Sequence, residues 1–273
     1  MKMLTSIQSL PIFALGFLCV LPFEAAWAQK DAGTAATPVQ TAWEKLVGKR
    51  AKASAAYSLP VHQTKLPNVF IYGDSISIAY TPQVRKSLDG IANVYRLQTN
   101  GGDSSSVIQK VTALETAMRD PKLVGHWSFD WDVIHFNVGL HDLKYLSGTN
   151  LDKKNGKQAV SPEEYASNLR KVVAYWKKIA PNATLIFATT TPVPDGEPGR
   201  QTEDAIKYNQ IALKVMSEYP EILIDDLYRF TLPKQPEWWT KPGNVHYNAA
   251  GVLAQGNEVA RVIQAALKSR SKY

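Results

Sequence analysis

Two residues in this chain could make and relay a nucleophile: the serine of Gly73-Asp74-Ser75-Ile76 and the histidine of Asn244-Val245-His246-Tyr247-Asn248. The serine directly follows the apolar run Val69-Phe70-Ile71-Tyr72, where a first strand would hand over to a helix. Gly73 lets the backbone turn sharply there, and free N–H groups at a helix start can steady an oxyanion. Asp74 or Ser75 could equally serve only as the cap of that helix. His246 stands just before a strongly helical segment, where it could take the Ser75 proton and return it to a leaving group. A lone histidine in such a place is otherwise structural, so its assignment depends on its companions.

Two more clusters fall where strands should end. Asn100-Gly101-Gly102-Asp103-Ser104-Ser105 follows a second apolar run, and Gly102 could bring a backbone N–H close to a bound carbonyl oxygen, although alone this is an ordinary capped turn. Asn137-Val138-Gly139-Leu140-His141-Asp142 continues a third run. Extended geometry would project Asn137, Gly139 and His141 to the same side and supply a side-chain donor.

The elements that must carry these residues alternate. Short β-rich runs are expected at 69–72, 93–97, 133–138, 184–189 and 222–225, with helical segments between them. The best defined helix starts at Ser161-Pro162-Glu163-Glu164, with serine as N-cap, proline in the first turn and Glu164 closing a capping box. Apolar residues at helical spacing mark it, and also mark the segments around Tyr208 and Val259. Strands alternating with helices give a mostly parallel sheet covered on both faces, with ligands bound at the carboxyl ends of the strands.

In this order and spacing the clusters resemble the SGNH hydrolase superfamily, also called the GDSL family, over about residues 66–268. Gly73, Asp74 and Ser75 look like the first block with its nucleophile, Gly102 like the second-block glycine, Gly139 to Asp142 like the third block, and His246 like the family's histidine. The resemblance implies a three-layer α/β/α fold, flavodoxin-like, with a mostly parallel central sheet of about five strands. It also implies hydrolysis of esters or thioesters through an acyl-enzyme, without a cofactor. Two departures stand out. The third block usually reads Gly-x-Asn-Asp, whereas His141 occupies the asparagine position, which leaves His141 and Asn137 as alternative oxyanion donors beside the Ser75 and Gly102 N–H groups. The family usually has aspartate three residues before the histidine, but Gly243 stands there; Asn244 is the nearest polar residue that could orient the ring.

Trp238 and Trp239, in the loop leading to His246, could stack on sugar rings or pack in the core. With no long apolar segment to receive an acyl chain, the substrate expected is an acetylated carbohydrate or other acylated small molecule. Alternatives are a lipid or small-ester substrate of the same family, or a glycan-binding relative with impaired catalysis. His135, His141, Asp142 and His246 are the conceivable metal ligands, but His141 and Asp142 are adjacent and on extended backbone would point apart, so no metal site is expected.

The chain begins with an address. Lys2, the apolar stretch from Leu10 to Leu21 and Ala26-Trp27-Ala28 read as a signal peptide over 1–28, too short and too interrupted by proline to span a bilayer stably. Export to the periplasm or the extracellular space follows, and Cys19, the single cysteine, would be lost with it. Residues 29–64 read as a flexible leader with a possible helix in 41–57, and 65–273 as the hydrolase domain. The formal net charge of +7 is scattered rather than massed with aromatics, which argues for a solvated surface and against a nucleic-acid partner.

Overall fold

Runs of Val, Ile and Phe too apolar to face water on either side form the centre of the protein, in a computed structural model that describes residues 36–270. The expected signal peptide lies outside the described residues. Strands β1 (Asn68–Tyr72), β2 (Asn93–Arg96) and β3 (Val133–Asn137) come first, and β7 (Thr184–Ala188) and β8 (Leu223–Asp225) complete a five-stranded sheet of order β2-β1-β3-β7-β8. Every pairing is parallel. Each strand matches its expected position to within a residue at either end.

The strand order reverses direction between β2-β1 and β3-β7. A cleft is expected at that switch point, outside the carboxyl ends of β1 and β3. Helices α3 (Ser75–Ser87) and α4 (Val107–Met118) follow β1 and β2. Helix α5 (Pro162–Ile179) has the expected capping box between Ser161 and Glu164, and α6 (Asp204–Met216) packs on it. The last helix, α9 (Ala249–Arg270), lies against α3. A Cβ on Gly256 would stand 2.6 Å from the Cβ of Gln83, so only glycine permits the two helices to come this close. One of these helices begins at Ser75 and the other just after His246.

Two regions add to the expected elements, the first where a possible helix is expected in 41–57. Helix α1 (Pro38–Val47), the short α2 (Arg50–Ala53) and a 3-10 turn at Ala55–Tyr57 occupy the segment expected to include a leader. Trp43, Val47 and Tyr57 are buried and the Trp43 indole N–H donates to Tyr57 O at 2.7 Å, so the compact unit begins at Ala36. Large aromatics anchor a segment whose overall composition is polar. The second is a small antiparallel sheet of β4 (Tyr145–Ser147), β5 (Asn150–Leu151) and β6 (Lys157–Gln158), in strands too short for any periodicity to register. The chain is completed by α7 (Leu227–Thr231) and α8 (Gln235–Trp238).

Candidate active site

Ser75 is the first residue of α3. Its turn is fixed from three directions. Asp74 Oδ1 accepts the Ile76 N–H at 2.9 Å, as a helix N-cap should, and Ser77 Oγ donates to Asp74 O at 2.8 Å. Gly73 O accepts the Gly101 N–H at 3.0 Å, which ties the nucleophile turn to the loop after β2. A Cβ on Gly73 would meet Ser77 at 2.8 Å, and one on Gly101 would meet the Gly73 carbonyl at the same distance. The Ser75 N–H sits where a helix has no acceptor of its own, and is open to a ligand.

His246 comes from the loop before α9, 171 residues away, and its Nε2 lies 2.9 Å from Ser75 Oγ. Its protonation follows from Asn244. The Asn244 side-chain oxygen accepts the His246 backbone N–H at 2.8 Å, which identifies that atom as the carbonyl. The same oxygen lies 2.8 Å from Nδ1, so the ring carries its proton there. Nε2 is left with its lone pair facing the serine hydroxyl. Gly243 has φ +68° and a Cβ there would stand 2.8 Å from Gly196 O. Aspartate at this position would be strained, which explains why the hydrogen bond to Nδ1 comes from two residues before the histidine.

His141 follows β3 and lines the same cleft. Lys144 Nζ is 2.9 Å from its Nδ1; an ammonium can only donate, so Nδ1 accepts and the imidazole proton is on Nε2. Burial lowers the His141 pKa to about 4, with the charges of Lys144 and Arg200 acting in the same direction against Asp74 and Asp103. The ring is therefore a neutral N–H donor above about pH 4. Asp142, beside it, is buried and accepts the Ser104 N–H through both oxygens at 2.9 and 3.1 Å. Burial pushes its carboxyl up to about 7 in spite of those bonds. Gly139, at φ +148°, has no room for a Cβ, which would fall 2.2 Å from Thr190 Oγ1.

Several expected site residues stand elsewhere. Asn137 Nδ2 donates to Ala188 O at 2.7 Å and Thr189 O at 3.1 Å, so both amide protons are engaged by the neighbouring strand and none is offered as an oxyanion donor. The Gly102 N–H, at a residue with φ +70°, donates to Asn100 Oδ1 at 2.9 Å rather than standing free. That bond leaves Asn100 with its Nδ2 hydrogens, and it is Asn100 that lines the cleft. Trp238 lies beside Phe230, with ring centroids 5.9 Å apart and the rings tilted, and Trp239 forms an antiparallel backbone bridge with Tyr247. Both are partly buried against the core and neither lines the cleft. His135 is fully buried and its Nε2 lies 2.8 Å from Asp225 Oδ2 across the sheet, apart from His141 and His246. Among the described residues no group of three or more His, Cys, Asp or Glu could hold a metal.

The cleft holds about 520 Å³, within the range of small-molecule sites. Glu197, Arg200, Lys144 and Lys241 line it, and none of them stands out in the sequence. Arg200 and Glu197 form a buried ion pair, with Arg200 Nε donating to Leu140 O at 2.7 Å. The rule that sites gather after parallel strands points at the loop following β7, but nothing in its composition picks out Arg200.

A family model for the GDSL-like Lipase/Acylhydrolase family matches residues 71–253, from the end of β1 into α9. The chain belongs to this family. As an SGNH/GDSL member it is an ester-bond hydrolase, and the five-stranded parallel sheet is that of SGNH hydrolases. Solved structures share the fold at low identity. A lipase/acylhydrolase from Enterococcus faecalis is 15% identical, with TM-score 0.53 over 73% of this chain and 96% of that one. An acetyl xylan esterase, AlAXEase, is 18% identical, with TM-score 0.53 over 72% and 99%. A carbohydrate esterase family 2 enzyme with a carbohydrate binding domain, from Corynascus thermopiles (Myceliophthora fergusii), is 19% identical, with TM-score 0.53 over 77% and 69%. No curated protein matches the chain by sequence.

Proposed function

We propose that this GDSL-family member is a serine esterase that removes acetyl groups from a carbohydrate through an acyl-enzyme on Ser75. Ser75 Oγ attacks the ester carbonyl as His246 Nε2 takes its proton, and the C–O bond to the sugar breaks as that proton passes to the leaving oxygen. Water, deprotonated by the same nitrogen, then releases acetate and restores Ser75. The Ser75 N–H and the His141 Nε2–H donate to the oxyanion, with Asn100 Nδ2 as a third donor from the same wall. Asn244 holds the imidazole in the required tautomer without supplying a carboxylate's charge.

The observation that carries this reading is the unbroken chain Ser75 Oγ, His246 Nε2, His246 Nδ1, Asn244 Oδ1, with separations of 2.9 and 2.8 Å. A carbohydrate is favoured over a long acyl chain by the polar side chains of the cleft, Asn100, Lys144, Glu197, Arg200 and Lys241, which stand among Leu151, Pro198, Pro242 and Val245 as a sugar's mixed polar and apolar faces require. Acetate release from an acetylated polysaccharide by the wild type, and none by Ser75→Ala, is the expected result; wild-type turnover confined to long-chain acyl esters would contradict it. Export belongs to the same proposal and rests on the composition of residues 1–28. The intact mass of protein secreted by the producing cell should correspond to a chain beginning at Gln29.

A further inference from the structure

The cleft around Ser75 is lined by three cations and one carboxylate. Glu197 is engaged inside the protein: Oε1 meets Arg200 Nη1 and Oε2 accepts the Gly199 N–H at 2.8 Å. The Arg200 guanidinium is buried and locked through Nε and Nη1, while its Nη2 has no hydrogen-bond partner among the described residues. Lys144 is half-buried, and the one hydrogen bond of its ammonium goes to the neutral ring of His141. Burial and the nearby Arg200 lower the Lys144 pKa, against the pull of Asp74, Glu197 and Asp103. The Lys241 ammonium stands exposed at the mouth, and its side chain has no hydrogen bond or ion pair to any described residue. Partly buried cations are normally matched by protein carboxylates. Here the matching negative charge is short on the wall that faces the substrate, and a fixed guanidinium edge beside two ammonium groups suits a carboxylate.

We infer that the acetylated substrate carries carboxylates, as a uronate-containing glycan does, and that Arg200, Lys144 and Lys241 bind a uronate carboxylate beside the ester held at Ser75. This deepens the proposed esterase reading and rests on it for turnover, but the anion preference can be measured without turnover. Binding of trigalacturonate and of mannotriose, matched in length and differing in charge, is compared by calorimetry on the Ser75→Ala protein. Trigalacturonate should bind at least about tenfold more tightly, and raising NaCl from about 0.05 to 0.5 M should remove most of the difference. Lys241→Gln, at an exposed position that leaves the fold intact, should cut the ratio of the two affinities by about threefold to tenfold. Equal binding of the two sugars, or a ratio unmoved by both salt and Lys241→Gln, overturns the inference. The companion assay is wild-type turnover of p-nitrophenyl acetate. If that activity is present and Ser75-dependent while the anion preference is absent, the esterase reading stands and this inference alone fails. An anion preference without turnover supports the carboxylate site and removes the esterase reading instead.

Discussion

Around Ser75 the chain is held by the core on several sides, whereas around His246 it is held by a few backbone bonds, Asn244 and the tight turn at Gly243. The nucleophile turn lies between buried strands, capped by Asp74, tied to Gly101, and packed so closely that Gly73, Gly101 and Gly139 have no room for a Cβ. The histidine loop holds an exposed His246 between buried Val245 and Tyr247, and depends on Asn244, the Thr240 N–H to His246 O bond at 2.9 Å, and the Asn248 N–H to Trp238 O bond at 2.7 Å. One half of the site is part of the core; the other is a surface loop attached to a core helix. Substitution of the packed glycines should therefore cost folding, and substitution of the His246 and Asn244 side chains should cost chemistry alone.

His246→Ala should lower kcat by about 10⁴-fold or more while leaving the urea midpoint unchanged, and a large loss of stability would erase the distinction. His141→Ala, which removes the Nε2–H donor, should lower kcat by ~10²–10³ with little change in KM, and His141→Asn should recover part of it; a change confined to KM would remove His141 from the oxyanion site. Gly139→Ala is the opposite case. The strained φ and the clash with Thr190 should cost about 3 kcal/mol or more in chemical unfolding.

The histidine loop can be probed more finely. Asn244→Ala should lower kcat about tenfold, and Asn244→Asp should raise it above wild type by supplying a counter-charge to the imidazolium. Gly243→Asp, which puts the acid where the family usually has it, should instead destabilise by about 1–3 kcal/mol without gaining rate. The smallest effect concerns Asp142. Its folded pKa of about 7 lies above the ordinary carboxylate value, so the native state holds this proton longer than the unfolded chain does. Its contribution to stability is complete below about pH 4 and is lost as pH rises through about 7. Asp142→Asn, which keeps an acceptor for the Ser104 N–H, should flatten that decline when urea midpoints are compared at acidic and alkaline pH.

The same contrast explains what can be read from the chain. The five strands and the turn at Ser75 are legible because apolar runs and a glycine at a strand end leave few alternatives. Asn244 is legible only as the nearest polar residue, and its fit depends on a left-handed Gly243 that no sequence pattern states. Asn137 looks like an oxyanion donor in the sequence because the acceptors that occupy it, Ala188 O and Thr189 O, lie at the end of β7 some fifty residues away. Trp238 and Trp239 are ambiguous between a sugar platform and the core until the fold sets Phe230 and Tyr247 beside them. Asn100 is visible only as part of a capped turn, and Lys144, Arg200 and Lys241 pass unnoticed because they come from three separate loops; only the fold brings the four to one cleft.

The central claim is that His246, held by Asn244, activates Ser75. Intact-mass detection of fluorophosphonate labelling tests it without knowledge of the substrate. A single adduct on the wild-type protein, absent from both Ser75→Ala and His246→Ala, is the expected result. An unlabelled wild type, or an adduct that persists in Ser75→Ala, would contradict it.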